Sequence, residues 1–136
     1  MTSRFGEVGT SPGQLSRDCT AITFTPDGSQ LIIAERQAKR LSLFTTAGAL
    51  NFVRCVGVCV LGDGCMDVLQ SATGEYVVAD YSNHRVCVFS PDGSELVRSW
   101  GVKGNGDGQF AYPTALAASG RHLYVMDASD RVQVFE

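Results

Sequence analysis

The sequence predicts an all-β fold built from tandem copies of one four-stranded antiparallel unit of about 45 residues. Two observations carry this. Three sets of markers recur with one period, and each unit is made of short β-branched or aromatic runs bounded by turn residues.

The period is read from three segments. Leu31-Ile32-Ile33-Ala34-Glu35 is followed by Arg40-Leu41-Ser42-Leu43-Phe44. Tyr76-Val77-Val78-Ala79-Asp80 is followed by Arg85-Val86-Cys87-Val88-Phe89. Leu123-Tyr124-Val125-Met126-Asp127 is followed by Arg131-Val132-Gln133-Val134-Phe135. Arg40 to Arg85 is 45 residues and Arg85 to Arg131 is 46, and the phenylalanines keep the same intervals. Glu35 to Asp80 is 45 and Asp80 to Asp127 is 47.

The middle unit gives the four strands in order. Strand a is short, Met66 to Gln70, and strand b runs from Glu75 to Ala79. The polar turn Asp80-Tyr81-Ser82-Asn83-His84 leads into strand c, Arg85 to Phe89. Pro91-Asp92-Gly93 is a strong turn signal, and strand d follows from Glu95 to Trp100. In strand c, Val86 and Val88 alternate with Arg85, Cys87 and Phe89, so neither face is wholly polar. A sheet apolar on both faces needs a neighbour on each, and stacked copies supply one another. Radial stacking of four-stranded meanders is a β-propeller.

Upstream markers extend the unit. Pro12-Gly13-Gln14-Leu15, Gly62-Asp63-Gly64-Cys65-Met66 and Gly106-Asp107-Gly108-Gln109-Phe110 correspond, as do Arg4-Phe5-Gly6, Cys55-Val56-Gly57 and Ser99-Trp100-Gly101. Their spacing is looser, which places insertions in connecting loops. The chain divides into approximate units 1–57, 58–101 and 102–136 of a single repeat region.

The recurring order is a Gly-Asp-Gly-Gln-Phe loop, an apolar strand, Tyr-Val-x-Asp, a polar turn, Arg-Val-x-Val-Phe, and an aromatic-Gly end. This resembles the NHL repeat, across about two and three-quarter units. Residues 76–89 and 104–113 carry the closest likeness, while the first unit departs from it with Glu35 in place of Asp. The resemblance implies a partial propeller of about three four-stranded blades. Six is the usual NHL number, reached here by further sequence or by two chains joined in a ring. The reading is of a cut inside a blade, since the chain begins at the tail of a strand d and ends after a strand c.

Composition bounds the function. Net charge is −3, which argues against a polyanion-binding surface. Met1 to Gly6 lacks the apolar segment of a secretory signal, and the stretch near Val53 to Leu61 is too short to cross a bilayer. The cysteines number five, at 19, 55, 59, 65 and 87, and an odd count argues against a disulfide framework. The expectation is a soluble, cytoplasmic protein.

Candidate chemistry is weighed against structure. Glu35 with Arg40, Asp80 with Arg85, and Asp127 with Arg131 recur once per unit, so they answer a need every unit shares. They are expected to hold turns and neighbouring strands together. Gly101 to Gly108 lacks the Gly-Lys-Ser/Thr ending and following helix of a phosphate loop. Cys55-x₃-Cys59 supplies half of a zinc pattern, without a nearby histidine pair. No catalytic residue, metal ligand or cofactor is therefore expected.

The loop face is the remaining candidate. In a propeller the d–a and b–c loops share one face. Here it carries Arg36, Lys39, Tyr81, His84, Lys103, Asn105, Asp107 and Tyr112, together with Arg17, Asp18, Asp63 and Asp130. Mixed signs with tyrosines suit a protein or peptide partner. The expectation is a non-catalytic interaction scaffold. The alternatives are an RNA-binding NHL platform, or part of a six-bladed metal-dependent hydrolase or lyase.

Overall fold

The computed structural model describes residues 4–58 and 60–136. Among these residues, eleven strands form three antiparallel sheets in chain order. Blade 1 is β1 (Cys19–Phe24), β2 (Gln30–Glu35), β3 (Arg40–Thr45) and β4 (Phe52–Val56). Blade 2 is β5 (Cys65–Gln70), β6 (Tyr76–Asp80), β7 (Arg85–Phe89) and β8 (Leu96–Trp100). Blade 3 is β9 (Pro113–Ser119), β10 (His122–Asp127) and β11 (Arg131–Phe135). Each is a meander in which neighbours in sequence are neighbours in the sheet. The third has three strands among the described residues, so β11 is its edge.

The repeat holds at the level of register. Glu35 faces Arg40, Asp80 faces Arg85, and Asp127 faces Arg131 across the b–c strand pairs. Leu31–Phe44, Tyr76–Phe89 and Leu123–Phe135 close the other end of the same pairs. Strands a and b slip register at Cys19/Ala21, Cys65/Asp67 and Met126/Asp127. Bulges of this kind raise local twist, as radial stacking requires.

Strand c explains why both faces are apolar. Cys87 and Phe89 join Val68, Tyr76 and Val78 against Ile32, Leu41 and Leu43 of blade 1. Val86 and Val88 join Val77 in a second cluster with Phe110 and Val125, packed by Leu116, Leu123 and Phe135 of blade 3. Blade 2 is thus buried on both sides, and its strands β6 and β7 are almost wholly buried. Each buried Val or Phe contributes about 1.5–3 kcal/mol. Blade 1 turns Leu31, Ile33 and Phe44 outward, where Leu15, Leu50 and Phe52 cover them.

The two gaps between blades differ. Ile32, Leu43 and Tyr76 fill the first; Val77, Val88 and Leu123 occupy the same repeat positions in the second. Three smaller side chains leave a cleft of about 430 Å³ between blades 2 and 3. Arg54 donates from Nη2 to the Tyr76 hydroxyl at 2.9 Å in the first gap. Its counterpart Arg98 has no tyrosine to meet and reaches Glu75 instead, at 3.3 Å.

No helix among the described residues is long and apolar enough to cross a membrane. Cys55 lies 3.8 Å from the Ser42 hydroxyl, and Cys59 falls outside the described residues.

Candidate interaction face

The b–c loops leave their sheets at the carboxyl ends of β2, β6 and β10. Each ends with a left-handed residue before the arginine: Lys39 (φ 54°), His84 (φ 53°) and Asp130 (φ 59°). Each of these donates its N–H back across the turn at 3.1 Å, to Arg36, Tyr81 and Asp127 carbonyls respectively. In blade 2 the turn is one 3₁₀ turn, Tyr81–Asn83.

The recurring carboxylates anchor the d–a loops to these turns. Glu35 accepts from the Ser16 N–H at 2.6 Å, Asp80 from the Gly62 N–H at 3.0 Å, and Asp127 from the Ala111 N–H at 3.2 Å. All three carboxylates are buried. The paired arginines take the carbonyls of the same loops. Arg40 donates to Thr10, Ser11 and Gln14; Arg85 donates to Val60; Arg131 donates to Asn105, Gly106 and Gln109. Within each pair the N···O distances are 3.0, 2.8 and 3.0 Å. The carboxylate holds an N–H, the guanidinium holds C=O groups, and a loop is fixed from both sides. Asp127 also accepts from the Ser129 N–H of its own b–c turn at 3.0 Å, but the d–a loop is the partner common to all three.

Further residues complete these clamps. The Ser42 hydroxyl donates to Glu35, the Asn83 amide to Asp80 at 3.0 Å, and the Ser129 hydroxyl to Asp127 at 2.5 Å. Burial works against the Asp127 carboxylate, but the bonds from Ser129 and Arg131 outweigh it and hold its pKa below the usual value. Ser42 and Cys87 occupy one repeat position, and the Cys87 thiol lies 3.7 Å from Asp80. Burial pushes that thiol up to about 12 and raises the Cys65 thiol as well, so neither is poised as a nucleophile.

The expected face residues fall into two groups. In blade 1, Arg36 pairs with Asp18 at 3.7 Å and Lys39 with Asp63 at 3.0 Å. These link the b–c loop of blade 1 to the d–a loops on either side. Such exposed pairs are worth about 0–1 kcal/mol each. The second group joins blades 2 and 3. The rings of Tyr81 and Tyr112 stack with centroids 4.6 Å apart, and the His84 ring lies 4.5 Å from Tyr112. His84 Nδ1 is 2.5 Å from the Ala111 carbonyl oxygen, so this histidine also positions the loop. Asn105 contributes its backbone carbonyl to Arg131, while Lys103 and Asp107 are exposed beside it. Gly101 keeps this corner tight at φ 112°: a Cβ there would lie 2.6 Å from the Phe110 ring and 2.7 Å from the His84 carbonyl oxygen.

Known proteins place this geometry. Residues 69–89 match the NHL repeat. Over 80 residues the chain is 39% identical to RING finger protein nhl-1 of Caenorhabditis elegans, covering 59% of this chain and 7% of that protein. Hsv2 of Kluyveromyces lactis superposes with a TM-score of 0.60 at 13% identity, over 88% of this chain and 32% of its own. The calcium-binding regucalcin of Agrobacterium tumefaciens gives 0.59 at 18% identity, over 84% and 39%. Virginiamycin B lyase of Staphylococcus aureus gives 0.54 at 12% identity, over 88% and 41%. At such identities these β-propellers share the fold with this chain. The chain spans well under half of each of these proteins.

Proposed function

We propose that these NHL-repeat propeller blades are a non-catalytic scaffold whose d–a and b–c loops present one face to a protein or peptide partner. The observation that carries this reading is the Tyr81–Tyr112–His84 cluster, three aromatic rings from two loops held in contact at the blade 2/3 boundary. Stiff aromatic groups offer contact area at low entropic cost, and charged groups of both signs stand beside them. The buried carboxylates of the face are fully engaged with loop N–H groups and arginines, so their chemistry is spent on holding the surface. The RNA-binding alternative is weakened at Arg36 and Lys39, each of which is matched by a carboxylate.

The test is a displayed-peptide selection against the chain, followed by titration of selected peptides. Tyr81→Ala with Tyr112→Ala should weaken binding about tenfold or more, as loss of an aromatic anchor does. Arg121→Ala, at the β9–β10 turn on the opposite end of the strands, should leave it unchanged. Equal affinity for all three proteins would remove the reading. An RNA ligand with steep salt dependence would replace it.

A further inference from the structure

The loop that enters blade 3 is a bond-for-bond copy of the segment that enters blade 1. Phe110 donates its N–H to the Val102 carbonyl and Gly104 donates to that of Phe110, as Leu15 donates to Glu7 and Gly9 to Leu15. Gln109 donates its backbone N–H to the Gly106 carbonyl at 3.1 Å, as Gln14 donates to Ser11 at 3.0 Å. The glutamine side chain answers in the other direction. Gly106 donates its N–H to Gln109 Oε1 at 2.9 Å, and Ser11 donates to Gln14 Oε1 at 3.3 Å. Arg131 then holds the carbonyls of Asn105, Gly106 and Gln109, as Arg40 holds those of Thr10, Ser11 and Gln14. Gln133 adds a bond from Nε2 to the Gln109 carbonyl at 2.8 Å.

One chemical difference separates the copies. Where blade 1 has Thr10-Ser11, blade 3 has Asn105-Gly106, the one Asn-Gly pair in the sequence. Both residues are exposed. In such a pair the glycine nitrogen, once it has lost its proton to base, attacks Cγ of the asparagine. Glycine permits the approach because it has no Cβ. The new C–N bond closes a succinimide ring, and the side-chain nitrogen leaves as ammonia. Water then opens the imide at either carbonyl, giving aspartate or isoaspartate. The sequence needs only base and water, with no oxidant or reductant. Thr10-Ser11 has no amide to lose, so the equivalent loop cannot follow.

The attack starts at the nitrogen that the loop holds. The Gly106 proton is donated to Gln109 Oε1, and a hydrogen bond to the protonated form opposes its loss. Arg131 fixes the carbonyls on both sides of that nitrogen, so the backbone cannot swing toward Cγ. We propose that Asn105–Gly106 is a deamidation site held closed by the Gln109 side chain, and that it reacts only when this loop opens. The glutamine serves the fold in both loops, and at Asn105 the same bond also governs a covalent change. Aspartate at 105 adds a negative charge between the exposed Lys103 and Asp107. Isoaspartate reroutes the backbone through the former side chain and displaces the carbonyl that Arg131 holds. The proposal concerns the loop's own chemistry and does not depend on a partner binding there.

The chain is incubated in mildly alkaline buffer at physiological temperature, and peptide mapping by mass spectrometry follows the one-dalton gain at position 105. A synthetic peptide spanning residues 101–112 gives the rate of the open loop. The folded chain should react at least about tenfold more slowly than the peptide, because the loop must open first. Gln109→Ala should react about fivefold faster than the parent, as the loss of one hydrogen bond dictates. Gln109→Glu keeps an acceptor oxygen and should stay at the parent rate. Gln14→Ala removes the same device from the Thr10–Ser11 loop and should also leave the rate at 105 unchanged. Circular dichroism of each variant should match the parent. A folded chain that reacts as fast as the peptide, a Gln109→Ala variant at the parent rate, or a Gln109→Glu variant as fast as Gln109→Ala would each overturn the proposal.

Discussion

Phe110→Ala is the sharpest test of how the blades are joined. Phe110 comes from the d–a loop, yet its ring is fully buried between blades 2 and 3 with Val77, Val86, Val88 and Val125. Its ring centroid lies 6.0 Å from that of Phe135. Cutting a buried Phe to Ala costs about 3–5 kcal/mol, from lost transfer energy and the cavity left behind. For a chain of this length that lowers the melting temperature by roughly 10–17 °C. The loss should not be shared evenly. Blade 3 is joined to blade 2 by this cluster and by the Leu116 N–H donating to Asp67 at 2.7 Å, so it should loosen first. Urea unfolding followed by Trp100 fluorescence should move to lower denaturant ahead of the far-ultraviolet signal. Phe110→Leu, which installs the residue that blade 1 has at Leu15, should recover most of the stability. A cost below about 1 kcal/mol for Phe110→Ala would refute the view that this ring welds blade 3 to its neighbour.

The clamps and the turns give further expectations. Asp80→Ala strands the Gly62 N–H and the Arg85 guanidinium, and should cost about 3–5 kcal/mol, whereas Lys39→Ala breaks an exposed pair and should cost under about 1 kcal/mol; urea midpoints will separate the two. Acid should act through two matching turns. Asp27 accepts from the Thr25 hydroxyl and from the Ser29 N–H and hydroxyl, and Asp92 accepts likewise from Ser90 and Ser94, which holds each pKa at about 2 against an ordinary 3.8. A depressed carboxyl stabilises the fold above its unfolded pKa, and that contribution fades as pH falls from about 4 toward 2. The Asp27→Asn, Asp92→Asn double variant should show a flatter stability profile across that window, and an unchanged slope would count against these turns as acid-sensitive points.

Much of the architecture is legible in one dimension because every blade repeats the same local decisions. β7 is found at its predicted bounds, since alternation, the arginine and the phenylalanine mark both ends. β8 begins one residue later than predicted and β6 is shifted by one residue at each end, as befits strands bounded by turns with little pattern. The two-sided burial of blade 2 follows from Val86 and Val88 alternating with Cys87 and Phe89. The bulges at Asp67 and Ala21 leave no such trace, because they answer to packing rather than to local preference. The Tyr81–Tyr112 stack joins residues far apart in the chain and has no local signature. Ser42 and Asn83 read as ordinary polar residues until the buried carboxylates reveal what they serve. One signal was present and passes unnoticed in a search for likeness. Tyr76 becomes Leu123 and Leu43 becomes Val88 at matched positions, and that difference is the cleft between blades 2 and 3.

The clamps have a consequence for how such a surface can diversify. Each loop is gripped at its landing point, by a carboxylate on one side and a guanidinium on the other, while residues such as Lys103 and Asp107 ride outside the grip. The stretch from Gly57 to Gly62 is shorter than that from Gly101 to Ala111, yet both reach the same anchor. Length and side-chain chemistry beyond the anchor are therefore decoupled from the stability of the sheet. Substitutions beyond the anchor can rewrite the chemistry of the surface without renegotiating how the chain folds.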